Sequence, residues 1–171
     1  MTAGERIGAF QALGAELRMI LNKKSFTSGG EKLIDLLPTV HIGNAWFTET
    51  NVRHRIESIA GSLEPAIVSK WLSKYTIPDK QSAKTVGVIV AGNIPLAGFD
   101  DFMHLLLCGY SYCGKQSKDD NKLLPLIAEI LIEIAPEFRN RIKFTEGKLG
   151  TIDAVIATGS NNSSRYFEYY F

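Results

Sequence analysis

Apolar residues in the first third of the chain recur three and four positions apart. Ile7, Phe10, Leu13, Leu17, Ile20 and Leu21 share one face at helical spacing and predict an amphipathic first helix. The polar, Gly-rich stretch NKKSFTSGG, residues 22–30, predicts a loop, and EKLIDLLPTV after it a short helix ended by Pro38. Thr48 has the chemistry of an N-cap for a second long helix that carries Val52, Ile56 and Ile59 on one side and stops near Gly61. A third runs from about Glu64 to Tyr75, with Trp71 and Leu72 turned inward, before TIPDKQSAK breaks the pattern.

The texture then changes. VGVIVA, residues 86–91, is a short, continuous, β-branched run of the kind buried on both faces in a parallel sheet. GNIPLAGFDDFMHLLLCG follows, where a Gly-Asn-x-Pro turn opens a helix with Leu96, Phe99, Phe102, Met103, Leu106 and Leu107 as its packing face. YSYCGK, residues 110–115, predicts a second strand, and SKDDNKLLPLIAEILIEIAPEF a helix with Pro125 in its first turns. RIKFTE and DAVIATG supply two more strands, and SNNSSRYFEYYF a helix after the last. Strands that alternate with helices predict an α/β fold: an open, mostly parallel, Rossmann-like sheet with helices on both faces, preceded by a helical N-terminal segment. The division expected is 1–80 for the helical segment, packed on the core, and 81–171 for the nucleotide-binding sheet domain.

Composition narrows the function classes. Nineteen Lys plus Arg against eighteen Asp plus Glu leave a net charge of +1, so no whole-chain field draws in nucleic acid or an anionic membrane. A charged ligand must be held locally. Cys108 and Cys113 have neither the CxxC spacing of a metal site nor the many pairs of a secreted scaffold, which fits a reducing cytoplasm. The start of the chain lacks the marks of a signal peptide, and no apolar run approaches the roughly 20 residues that span a bilayer. The closing SSRYFEYYF reads as an amphipathic helix still in progress, so a truncated sheet domain is expected, with a natural helix docking in a groove as the alternative.

In an open α/β sheet, ligands bind beyond the carboxyl ends of the strands, where helix N-termini leave N–H groups unpaired. Three segments reach that edge. In ATGSNN, Gly159 allows close approach of a ligand and Ser160 offers a hydroxyl to an anion at a helix start, although Gly-Ser is equally an ordinary capping dipeptide. GKQSKDD brings Lys115, Ser117 and Lys118, two cations and a hydroxyl suited to a ribose or its phosphate, or else simply a solvated loop. AGNIP carries Asn93, whose amide can donate to a developing oxyanion or merely form a turn.

The order of these segments resembles the aldehyde dehydrogenase superfamily, and within it the fatty-acyl-CoA reductases related to the bacterial bioluminescence enzyme. VGVIVAGNIPLAGF is similar to that superfamily's strand and Asn-x-Pro turn, GYSYCGKQSK to its strand ending in Lys-Pro-Ser-Glu, and DAVIATGSNNSSRYF to its strand, Thr-Gly-Ser and helix. The resemblance covers about residues 86–171, with weaker support from NAWFTETNVR. It implies a fatty acyl-CoA substrate reduced to an aldehyde by NAD(P)H, with Asn93 stabilising the thiohemiacetal oxyanion. Lys115 and Ser117 would lie near the adenosine ribose, and Gly159 and Ser160 beneath the pyrophosphate. Gln116 departs from the usual Pro, and Lys118 stands where a carboxylate often meets the ribose of NAD. An ammonium group attracts a 2′-phosphate that a carboxylate repels, so NADP is expected over NAD.

The same resemblance implies a nucleophilic cysteine in a second domain beyond Phe171. Cys108, in an apolar helix, and Cys113, in a strand, read as buried structural thiols. His41, His54 and His104 show no metal-ligand spacing. Asp100 and Asp101, adjacent and divergent on a helix, read as first-turn acids. Two other classes stand beside the enzyme: a non-catalytic nucleotide-binding or scaffold module, and an interaction protein that uses the aromatic C-terminal helix. Exposed apolar surface would also favour a homo-oligomer.

Overall fold

The computed structural model describes residues 1–158. Its N-terminal part is helical. α1 spans Ala3–Leu21 behind a Thr2 and Glu5 capping box, and α2 spans Ser28–Leu36. A 3₁₀ segment covers Leu37–Ile42, α3 spans Glu49–Ser62, and α4 spans Pro65–Leu72. Thr48 caps α3 by accepting from the Asn51 N–H, as its side-chain chemistry predicts. α2 begins three residues ahead of Glu31, where the sequence pattern puts it. Thr27 accepts from the Gly30 N–H, and the Glu133 carboxylate accepts from the N–H groups of Ser28 and Gly29, so the Gly pair is drawn into the first turn.

The second part alternates as expected as far as β3: β1 Thr85–Ile89, α5 Phe99–Leu107, β2 Ser111–Lys115, α6 Leu123–Ile134 and β3 Ile142–Thr145, after which β4 Ala154–Ala157 follows with no helix between. The strands form one open sheet in the order β3-β2-β1-β4, and all three pairings are parallel. The protein is thus an α/β fold with an all-parallel sheet flanked by helices and preceded by helices. The helix expected after β4 lies outside the described residues.

Strand alternation sends Val86, Val88 and Tyr112 toward α5 and α6, where they join one core with Phe99, Phe102, Leu106, Ile127 and Leu131. α1 packs over that layer: the ring of Phe10 meets Phe102 and Phe138 edge-on at 6.3 and 6.0 Å. Burying such a ring contributes about 1.5–3 kcal/mol. The other face of the sheet carries Gly87 and Cys113. The β3–β4 connection crosses it, and the Leu149 and Ile152 side chains come so near Gly87 that a β-carbon there would lie within 3 Å of both.

Arg6 ties the helical part to the sheet part. Its guanidinium is fully buried and donates to the carbonyl oxygens of Leu107, Met1, Asp79 and Pro78, closing the C-terminus of α5 and the linker in one cluster. Among the described residues no helix is long and apolar enough to cross a membrane.

Candidate functional site

The chain runs outward from β1 through β2 to β3, then returns to place β4 on the other side of β1. In open α/β sheets ligands bind beyond the carboxyl ends of the strands at such a reversal. Hydrogen bonds hold the strand ends of that edge level. The Val90 N–H donates to Lys115 O at 3.2 Å, the Gln116 N–H to Thr145 O at 3.2 Å, and the Thr158 N–H to Ile89 O at 3.1 Å.

The loop after β1 is longer than the sequence pattern predicts. α5 begins at Phe99 with Gly98 as its cap, so Pro95 and Leu96 belong to a run of turns, not to the helix. Leu96 sits at φ +55°, left-handed for a side-chain-bearing residue, yet is buried. Three contacts oppose that strain. Its side chain enters the core, its N–H donates to Asp120 Oδ2 at 3.2 Å, and its carbonyl accepts from Arg55, which also pairs with Asp100 at 3.1 Å.

Asp120 is buried and also accepts from the Leu123 N–H at 3.3 Å, so one carboxylate joins the loop after β1 to the start of α6. Burial pushes this carboxyl above the usual carboxylate range, although N–H groups from Leu96, Leu123 and Lys122 oppose the shift. Gly92 makes the second link between the two loops. A β-carbon there would lie 2.5 Å from Ser117 Cβ and 3.1 Å from Asp119 Cβ, so only glycine permits the contact. Asn44 supplies a third, donating through Nδ2 to the carbonyls of Gly92 and Asp119, each at 3.4 Å.

Asn93 is exposed and lines an open cleft of about 480 Å3 with Asn44, Trp46, Gly92 and Asp119. Lys118, also exposed, lines an adjoining cleft of about 240 Å3 with Val40, Phe47 and Asn121, and Asn44 and Asp119 border both. Ser117 is half-buried against Gly92, and its Oγ accepts from the Asp119 N–H at 3.2 Å. Lys115 reaches the same edge, but alternation along β2 puts it on the face with Cys113, away from the clefts of Asn93 and Lys118. Lys118 lies within the turn closed by the Ser117–Asp120 bridge. Gly159 and Ser160 lie outside the described residues.

Asp120, Asn44 and Arg55 are the residues that the sequence pattern passes over. Asp120 left a signal: it stands three places before Leu123 at the head of an apolar run, the spacing of a helix cap. Asn44 and Arg55 left none, since their partners are 48 and 41 residues away. Gln116, which replaces the proline of the resemblance, has both amide atoms buried and without a protein partner among the described residues, as has the Tyr112 hydroxyl. Burial raises the Tyr112 phenol well above its ordinary value. Cys113 is buried and its thiol points to Leu149 O at 3.6 Å, the setting of a structural cysteine. Comparison with family models, curated proteins and solved structures finds no match to the chain.

Proposed function

We propose that this chain is the nucleotide-binding portion of an acyl-CoA reductase of the aldehyde dehydrogenase type, which reduces a fatty acyl-CoA to an aldehyde and takes NADP in preference to NAD. The observation that carries the reading is the strand order β3-β2-β1-β4, whose reversal between β1 and β4 coincides with the Asn-x-Pro and Thr-Gly-Ser segments that carry the resemblance. The residues at that edge suit a dinucleotide in charge and in donor chemistry. Lys118 offers a cation for a 2′-phosphate, Asp119 beside it an acceptor for a ribose hydroxyl, and both border connected clefts.

The cofactor supplies a hydride when bound. This chain's own part is to hold and to polarise. Asn93, set by Gly92 and by the turn through Leu96, presents an exposed amide to donate to the oxyanion that forms when a thiolate attacks the thioester carbonyl. The thiolate itself belongs to sequence beyond Phe171 in this reading, in keeping with the buried state of Cys113. Ser160 and Gly159 take the pyrophosphate end, next to Thr158, whose N–H and hydroxyl both bond to Ile89 O. Free cysteines and the absence of a membrane-spanning helix among the described residues accord with a cytoplasmic protein. Ile42, Trp46 and Ile94, exposed around the clefts, accord with a homo-oligomer or a further domain against this edge.

Calorimetric titration with NADPH and NADH tests the assignment. NADPH is expected to bind more tightly, and Lys118→Glu to weaken it about fivefold, or about 1 kcal/mol for one partly screened charge, while NADH is little affected. Equal loss for both nucleotides, or none for either, removes Lys118 from the ribose.

A further inference from the structure

The opposite edge of the sheet, where β1, β2 and β3 begin, borders a second open cleft of about 550 Å3. Arg139, Arg141, Lys143, Ser111, Gly150 and Thr151 are among the residues that line it. Arg141 stands at the turn that enters β3, where its carbonyl already accepts from the Tyr112 N–H, and Lys143 lies two positions on, so the two share a face. That face is the one that carries Cys113, the register partner of Lys143, and not the one covered by α5 and α6.

The charges in this cleft have one sign. No carboxylate lines it, and among the described residues none of the three cations forms an ion pair. Asp153, on the same edge, accepts from the Thr85 N–H and does not line the cleft. Arg141 is half-buried and fixed by three hydrogen bonds, to Ser82 O at 2.6 Å, Ser111 Oγ at 3.2 Å and Gln81 Oε1 at 3.0 Å, each to a neutral acceptor. A guanidinium held this way has lost part of its hydration without gaining a counter-charge. The Ser111 hydroxyl, accepting from Arg141, has its own hydrogen left to donate. Gly150, at φ +74°, has open space beside it, so backbone there leaves room for a ligand.

We propose that this cleft binds the phosphomonoester group of a small molecule, at a site separate from the dinucleotide edge. A dianion is the ligand that fixed and mobile cations plus hydroxyl donors recognise together. The cleft has the volume of a small-molecule site. The proposal does not depend on the reductase reading, since none of its residues lies at the carboxyl edge.

The test is amide chemical-shift mapping of the 171-residue chain at constant ionic strength, titrated in separate arms with inorganic phosphate and with adenosine 3′-monophosphate. Saturable shifts at Ser111, Arg141, Lys143 and Thr151 are expected in at least one arm. Binding only in the nucleotide arm identifies a nucleotide as the source of the phosphate; equal binding in both identifies the phosphate group alone. Lys143→Gln, an exposed change that leaves the fold intact, is expected to weaken binding at least threefold, and Arg141→Gln at least tenfold. NADH, which carries no phosphomonoester, should bind Lys143→Gln as it binds the parent. Absence of saturable shifts in both arms, or equal affinity in Lys143→Gln, overturns the proposal.

Discussion

Asp120 is the residue on which the geometry of the candidate edge turns. Its two oxygens serve two backbone N–H groups from different elements, and both donors are buried. Asp120→Ala leaves those donors without partners and is expected to cost about 2–4 kcal/mol of stability in urea denaturation, since each orphaned buried group costs about 1–3 kcal/mol. The carboxyl also has a pH signature. Burial raises its folded-state pKa, so the folded protein holds this proton more tightly than the unfolded chain does. The stabilising contribution is complete below the unfolded value and is lost as pH rises through the folded one. Stability should therefore fall across the upper carboxylate range by an amount that Asp120→Asn abolishes; an unchanged slope in that variant would assign the effect to another group.

Elements, more than single residues, decide which loops meet. Gly92 and Ser117 are in contact because β1 and β2 are in register to their last residues, Ile89 opposite Lys115, so the two loops leave the sheet side by side. Gly92→Ala must push the loops apart or displace Ser117, and is expected to lower stability by about 1–3 kcal/mol, as overpacking commonly does. It should also weaken NADPH binding by separating Asn93 from Asp119, measured by the same calorimetry. Full retention of both properties would show that the two loops move independently.

At this scale the sequence was readable where one period ruled. β1, β2, α1 and α3 follow from apolar spacing and a Thr cap, and the parallel pairing of β1, β2 and β3 from the helices between them, whereas the strand order does not. The turn through Pro95 and Leu96 was not, because Leu96 has the hydrophobicity of a helix position while its backbone is held left-handed by Asp120 and Arg55, distant in sequence. The placement of Lys115 and Lys118 relative to each other was not legible either. Three residues along a strand end do not reveal which face each side chain takes once a tight turn intervenes.

Over the whole molecule, helices and sheet share one core, and Arg6 crosses between them. Arg6→Met keeps the apolar stem and removes the hydrogen bonds to Leu107, Met1, Asp79 and Pro78, an expected loss of about 3 kcal/mol. One cooperative transition with a lower midpoint and an unchanged denaturant slope is predicted; two separate transitions would mean that the parts fold independently.

The central claim is that the carboxyl edge of the sheet takes a dinucleotide. Hydrogen–deuterium exchange with and without saturating NADH, which carries no phosphomonoester, reports on it directly. Protection confined to segments 91–97 and 115–120 and to the residues just after β4, with the starts of β1, β2 and β3 unaffected, is the predicted result. No protection at the carboxyl edge, or protection only at the opposite one, would contradict it.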